Sequence, residues 1–209
     1  MFKVILSDKD IRLLCTNSQN PLISPFNEER LQGASYDISM SNTVHVFKDA
    51  VKTIYLTDQN SIDSIYCKVK IKEYKPFVLK PNEYVLVTLK EHLSIPHNMI
   101  AHIRPRTKFT RLGIIITDQH CNPGYQGILQ VGMRNVSPNS IALFPDLSIA
   151  QIVFEELKSE PSTSKLYDAK EHASYQGEKE FIGARFTEKD FSPEARELYE
   201  KIMSGACVK

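Results

Sequence analysis

The sequence predicts a mainly β domain, a barrel or sandwich of many short strands with a short helix near each end. Three observations carry this. From Asn42 to about Leu157, apolar and polar residues alternate with period two rather than the 3.6 of a helix. Clusters of Pro, Gly, Asn and Ser cut the alternation into short runs. The length of 209 residues fits one domain with a sizeable core, or a core domain carrying an ordered tail.

In chain order, SDKDIRLLC starts a helix at Ser7, a hydroxyl cap followed by the acidic first turn that a helix N-terminus favours. Ile11, Leu13 and Leu14 supply its apolar face. Pro25 and Gly33 punctuate the next stretch. In GASYDISM, Tyr36, Ile38 and Met40 then alternate with Asp37 and Ser39, as in an extended segment entering a sheet. TVHVF, YCKVKIKEY, FVL, EYVLVTL and MIAHIRP continue the alternation, and the Pro-Asn signal in KPNE at 80–83 predicts a hairpin joining FVL to EYVLVTL. GILQVGMRN, SIALFP and LSIAQIVFEEL add three strands, divided by VSPNS and FPD. Closure of such a set leaves few edges exposed. Beyond Leu157 the alternation stops and composition turns polar. SPEARELYEKIM then predicts a helix, with Ser192 before Pro193, Glu194 and Glu197 near its positive end and Lys201 later. The organisation is a β-rich core with its N-terminal helix over 1–157, and a polar tail with a C-terminal helix over 158–209.

Charge is balanced, 26 basic against 25 acidic side chains for a net +1, so no global field would hold a nucleic-acid polymer or an anionic membrane. Any anion must be met by a local cluster. Cys15, Cys67, Cys121 and Cys207 are far apart with no CxxC pair, and read as reduced thiols rather than zinc ligands or a disulfide frame. No stretch reaches the length of a membrane span, and the short apolar run at the N-terminus meets charge at once. A cytoplasmic protein with no membrane partner is the expectation.

Arg104, Arg106, Lys108 and Arg111 fall within eight residues between two β-like runs. Two readings stand on those residues alone: a phosphate site, in which guanidinium forks, Thr107 and backbone amides donate to the oxygens, and a solvated basic turn with a salt bridge. The surrounding motifs add to this. PRTKFTRLG resembles the PRSSLxRLG segment, NPGYQG the DPGYxG turn and SIAQIVF the IAQLxF strand of the family uniting trimeric deoxyuridine triphosphatases with deoxycytidine triphosphate deaminases. GASYDISM is similar to that family's SYDLRLG stretch, and YQGEKEFIGAR to the C-terminal YQGQxGPxxSR run of the deaminase branch. Order and extent, roughly 30 to 186, favour the deaminase branch.

The resemblance implies a distorted β-barrel assembled as a homotrimer, with a pyrimidine deoxynucleoside triphosphate between subunits and Mg²⁺ on the triphosphate. By position, Arg106, Thr107 and Lys108 would meet phosphate oxygens, with Arg111 positioning phosphate or water. Gln151 would donate to phosphate, and Tyr175 and Lys179 would close over the ligand from an adjacent subunit. The plain alternatives are ion pairs for the arginines, a structural hydrogen bond for Gln151 and a surface aromatic for Tyr175.

Both family acids are replaced. The deaminase glutamate, which handles protons as water attacks cytosine, aligns with Gly132, which has no side chain to act as acid or base. Gln130 shares its strand face but an amide cannot take a proton at neutral pH. The triphosphatase aspartate aligns with Asn122, which can hold water or a ribose hydroxyl but carries no charge. The link from Gly113 to Asn122 is also shorter than in the deaminases. Within it, Asp118 and His120 are the candidates for a relocated catalytic pair, against a polar-loop reading of TDQH. A mid-strand glycine also marks close approach, and two readings of Gly132 stand: room for a bulkier ligand, or drift in a site no longer used. Three functions follow: a deaminase-like or triphosphatase-like enzyme with rearranged groups, a nucleotide-binding sensor without turnover, and a trimeric scaffold.

Overall fold

The computed structural model describes residues 4–17, 19–48 and 53–204. The chain falls into two compact units, Met1–Phe47 with Cys67–Phe181, and Lys48–Tyr66 with Ile182–Lys209. The first unit thus continues past Leu157 through much of the polar tail.

Helix α1 (Asp8–Thr16) begins where the hydroxyl predicts. The Ser7 side chain accepts from the Asp10 N–H, and the Asp10 carboxylate accepts from the Ser7 N–H at 3.0 Å, a reciprocal cap. Its buried face is Ile11 with Cys15, while Leu13 stands exposed. Leu14, at i+3, packs partly buried on the same side, whereas Leu13 lies about 200° round the axis from Ile11. The strands follow as β1 (Ile23–Ser24), β2 (Leu31–Gln32) and β3 (Ser35–Phe47). Next come helix α2 (Gln59–Asp63), β4 (Tyr66–Lys70), β5 (Phe77–Leu79), β6 (Tyr84–Ser94) and β7 (Met99–Pro105). After the short helix α3 (Thr107–Arg111) come β8 (Ile114–Ile116), β9 (Gln119–Cys121), β10 (Gln126–Asn135), β11 (Ile141–Leu143) and β12 (Ser148–Glu156).

The main sheet runs β8-β10-β6-β3-β12-β7-β9, with β1, β2 and β4 paired at its margins. Its two ends, β8 and β9, are consecutive in the chain and separated only by Thr117 and Asp118. A sheet whose first and last strands share so short a link must curl, which gives the distorted barrel. Strand β3 makes the bend possible: its first half pairs with β12 and its second with β6, the latter pairing shifting register between Met40 and Val44. An irregularity of this kind turns a strand out of one sheet plane into another.

The core lies inside this curl. Tyr36, Ile38 and Met40 of β3, Val85, Val87 and Leu89 of β6, and Ile149, Ile152 and Phe154 of β12 are all buried. Each such side chain contributes about 1.5–3 kcal/mol on burial. Ser39 is buried too, and its N–H and hydroxyl donate to the carboxylate of buried Glu91 at 2.9 and 2.7 Å. Burial pushes the Glu91 pKa up, against the pull of Ser39 and Arg30.

The expected hairpin at 80–83 does not form. The turn is present, with the Glu83 N–H on the Lys80 carbonyl, but β5 pairs with β11 instead of β6. The Asn82 N–H is taken by the Asn135 carbonyl and the Asn135 N–H by that of Glu83, so the turn is tied to the end of β10. The TDQH segment also departs from a loop: Gln119 and His120 pair with Ile103 and His102 of β7.

In the second unit, Arg185 binds Asp63 of α2 at 2.7 Å and lowers its pKa. Helix α4 (Pro193–Met203) is capped by Ser192, whose hydroxyl accepts from the Ala195 N–H, and carries the i, i+4 pair Glu197–Lys201 at 2.7 Å. Cys15, Cys67 and Cys121 are free thiols; Cys207 lies outside the described residues. Burial pushes the thiol of Cys15 up to about 11 and that of Cys121 up to about 12, so neither is a reactive thiolate at neutral pH. No helix among the described residues is long and apolar enough to cross a membrane.

Candidate functional site

The basic cluster is organised around a carboxylate that the sequence did not single out for a role. The register sets Gln151 of β12 between Asp37 of β3 and Arg104 of β7. Arg106, extended just before α3, reaches back so that its Nη2 lies 3.0 Å from Asp37 Oδ2. Its Nη1 donates to the Ser148 carbonyl at 3.3 Å. Asp37 is 6% exposed. Burial raises its pKa, opposed by Arg106 first and then by Lys108 and Arg30. The Ser35 hydroxyl donates to Gln151 Oε1 at 3.5 Å. Arg106 and Gln151 are thus gathered on one outward face. Thr107 and Lys108 are exposed on the first turn of α3, anchored by buried Phe109, and Arg111 is exposed at its end with no ion pair among the described residues.

Across β9 the side chains divide by the strand's alternation. Thr117 and Gln119 turn toward β10: the Thr117 hydroxyl accepts from the Gly132 N–H at 3.0 Å and Gln119 Nε2 donates to the Gln130 carbonyl at 2.5 Å. Asp118 and His120 turn toward β7. Asp118 pairs with Arg104 at 3.1 Å, both about half exposed. The His120 ring lies 5.0 Å from that of His102 and is hydrogen-bonded by the Asn122 side chain. Burial and then His102 lower the His120 pKa, while Asn122 and Glu155 oppose the shift. Asn122 opens the NPGY turn, its carbonyl accepting from the Tyr125 N–H at 3.1 Å, with Gly124 at the positive φ of 83° that the turn requires.

Gly132 is not an opening. A β-carbon there would run into the hydroxyl of Tyr84 and lie 2.8 Å from Thr117 Cγ2, so the expected room is filled by an aromatic ring from β6. Burial raises the Tyr84 pKa, leaving the phenol neutral at pH 7. Beside it, Gln130 Oε1 accepts from the Thr88 hydroxyl at 2.7 Å. Tyr84, Thr88, Thr117 and Gln130, the side chains beside Gly132, include no carboxylate; Arg134, opposite Tyr84 in the register, is the next residue of β10 on this face.

The tail lies along the start of the same chain's β10. The Ile128 N–H donates to the Glu178 carbonyl at 2.7 Å and the Gly177 N–H to that of Gln126 at 2.8 Å. Tyr175 packs partly buried against the core, its N–H on the Tyr167 hydroxyl at 3.3 Å. Lys179 is exposed and helps lower the pKa of His92, after burial. Among the described residues no group of three or more His, Cys, Asp or Glu could hold a metal ion.

A family model described as dCTP deaminase-like matches residues 5–157. The chain belongs to the dCTP deaminase-like family. A dCTP deaminase of Natronomonas pharaonis is 34% identical over 181 residues, covering 84% of this chain and 91% of the relative. A dUMP-forming dCTP deaminase of Methanosphaera stadtmanae is 29% identical, covering 83% and 89%. The crystal structure of the 2'-deoxycytidine 5'-triphosphate deaminase from Agrobacterium tumefaciens shares the fold, with a TM-score of 0.60 at 20% identity. That match covers 75% of this chain and spans half, 50%, of the Agrobacterium chain. Within the family fold, the residues that sequence reasoning missed are Asp37 as the anchor of Arg106 and Tyr84 as the occupant of the Gly132 space. Period-two alternation marks Tyr84, Leu86 and Thr88 as one face, but nothing local says that this face looks onto β10.

Proposed function

We propose that this chain binds a pyrimidine deoxynucleoside triphosphate, as a dCTP deaminase-like protein of the cytosol, and does not deaminate it by the family's glutamate route. The observation that carries the reading is the contrast between two faces. Arg106, Gln151 and the start of α3 keep a cationic patch rich in donors, whereas the side chains beside Gly132 on the β10 face, Tyr84, Thr117 and Gln130, include no carboxylate. A triphosphate calls for several charge-assisted donors, which the first face offers. Deamination adds water to the amine-bearing carbon and expels ammonia, so a group must accept the water's proton and return one to the leaving amine. Tyr84, Thr117 and Gln130 cannot accept it at neutral pH.

The two faces look in different directions from β9, so a ligand touching both would bridge two copies, in keeping with the homotrimer that the family resemblance implies. Tyr175 and Lys179 would then border the β10 half of such a site. With no carboxylate cluster to cage it among the described residues, Mg²⁺ would arrive on the triphosphate oxygens and water, its common mode of binding.

A second reading, favoured by 34% identity to a dCTP deaminase, is turnover with relocated groups, Asp118 and His120 acting on a neighbouring copy's ligand. Titration calorimetry with dCTP in Mg²⁺, followed by chromatography of the mixture, separates these. Binding with dCTP recovered intact is the expected result. Release of ammonia and dUTP, lost in Asp118→Asn or His120→Gln, would establish the second reading instead, and absence of binding would leave a scaffold.

A further inference from the structure

A second basic cluster lies in the segment that joins β4 to β5. Residues 68–80 carry Lys68, Lys70, Lys72, Lys75 and Lys80 against Glu73, a surplus of four in a chain whose total is +1, and all five lysines are exposed. Lys70, Lys72 and Lys75 border a groove of about 390 Å³ that is otherwise lined by apolar side chains, Val69, Ile71, Pro76, Phe77 and Val78. Tyr74 stands at the turn between the two strands, 94% exposed and held at a φ of 62°, where the Lys75 N–H meets the Lys72 carbonyl at 3.2 Å. A left-handed residue other than glycine costs about 1–2 kcal/mol, and an exposed ring recovers none of it by packing. Strand β4 pairs with β3 and β5 with β11, so each keeps an edge with no strand on it among the described residues.

We propose that this groove docks an extended acidic segment of another protein, anchored by one apolar side chain. The charge and the lining together choose that occupant. Lysines along an edge repel a second copy of the same strand and favour one that bears carboxylates. A membrane would need the apolar side chains to project outward, whereas here they line a hollow with a basic border. A single-stranded nucleic acid would need aromatic faces for successive bases, and Tyr74 is the one exposed ring of this segment. An extended peptide uses everything present: an edge for its backbone, the hollow for one side chain and the lysines for the carboxylates on either side. Tyr74 then closes over the seated side chain. The proposal is independent of the nucleotide reading, which rests on other residues.

The test is fluorescence anisotropy of labelled peptides, runs of Asp and Glu around a central Leu, Phe or Ser, titrated with the full chain at low salt, where screening is weak. The Leu or Phe peptide should bind saturably with a Kd of about 10–100 μM, and the Ser peptide about tenfold more weakly, the scale of one apolar side chain left unburied. Reversing the border with Lys70→Glu, Lys72→Glu and Lys75→Glu together should abolish binding, and Val78→Asp should weaken it about tenfold. These four positions are exposed or half exposed, and the comparison of peptides on the unchanged chain decides the matter if a variant fails to fold. Absence of saturable binding by any peptide, or undiminished binding in the folded variants, would overturn the proposal. So would equal binding of the Ser peptide, which means charge attraction alone, or tighter binding of an oligothymidylate or of phosphatidylserine vesicles.

Discussion

Arg106 and Gly132 occupy the two halves of the family motif, and the structure treats them differently. At Arg106 the motif residue is present and carries a structural duty, holding the buried carboxylate of Asp37 at 3.0 Å. At Gly132 a side chain has no room, because the Tyr84 hydroxyl and Thr117 Cγ2 stand where its β-carbon would go. The contrast separates two reasons for a residue to persist. Arg106 would be kept by the fold even without a phosphate to bind, because losing it strands Asp37. Retention of the cationic face is therefore weaker testimony to ligand binding than its sequence suggests, and experiments must pull the two duties apart.

The largest effect expected is from Arg106→Ala, which leaves a buried unpaired carboxylate and should cost about 2–4 kcal/mol in denaturant unfolding. Adding Asp37→Asn should return most of that stability. If the double variant also regains nucleotide affinity, the arginine's role is structural alone and the contrast collapses.

Next is Gly132→Glu, which forces Tyr84 from its place and should cost about 1–3 kcal/mol as an overpacked site. Pairing it with Tyr84→Ala should relieve most of the cost. Deamination in the double variant, followed by ammonia release, would show that the rest of the catalytic geometry survives.

A smaller effect comes from pH. His45, His92 and His120 all have pKa values lowered by burial, the first two further by Lys68 and Lys179 respectively. The unfolded chain binds protons that these rings refuse, so stability is full above about pH 6.5 and falls as pH drops toward their folded values. The buried carboxyls Asp37 and Glu91, raised in pKa, act oppositely: their contribution is present below the ordinary carboxylate range and lost as pH rises through their folded values. Between pH 7.5 and 5.5 the histidines should dominate, lowering the thermal midpoint by a few degrees. His45→Phe, which preserves the ring stacked on Phe181 at 3.9 Å, should shrink that drop.

The smallest effect is expected at Asp118. Its pair with Arg104 shares the outward face with Arg106 and Asp37 but is about half exposed, so Asp118→Ala should change stability by about 0–1 kcal/mol. A larger loss would mean that exposure does not set the difference between the two ion pairs.

Much of the architecture was legible in advance. Ser7 and Ser192 marked helix starts, and MIAHIRP became β7 residue for residue, while GILQVGMRN and LSIAQIVFEEL lie in β10 and β12 with little change. Each of these rests on neighbours in the chain: a cap needs the next three residues, and alternation needs the next two. The hairpin at 80–83 failed because a turn signal states only that the chain reverses, and β5 found its partner in β11, beyond that range.

The site divides along the same line. The sequence by itself determined the cationic cluster and the absence of an acid at Gly132 and Asn122. Tertiary structure alone decided that Asp37 neutralises Arg106 and that Tyr84 fills the glycine's space. These depend on which strands lie side by side in the curled sheet, and pairing between distant strands is fixed by the packing of the whole core rather than by any residue's near neighbours.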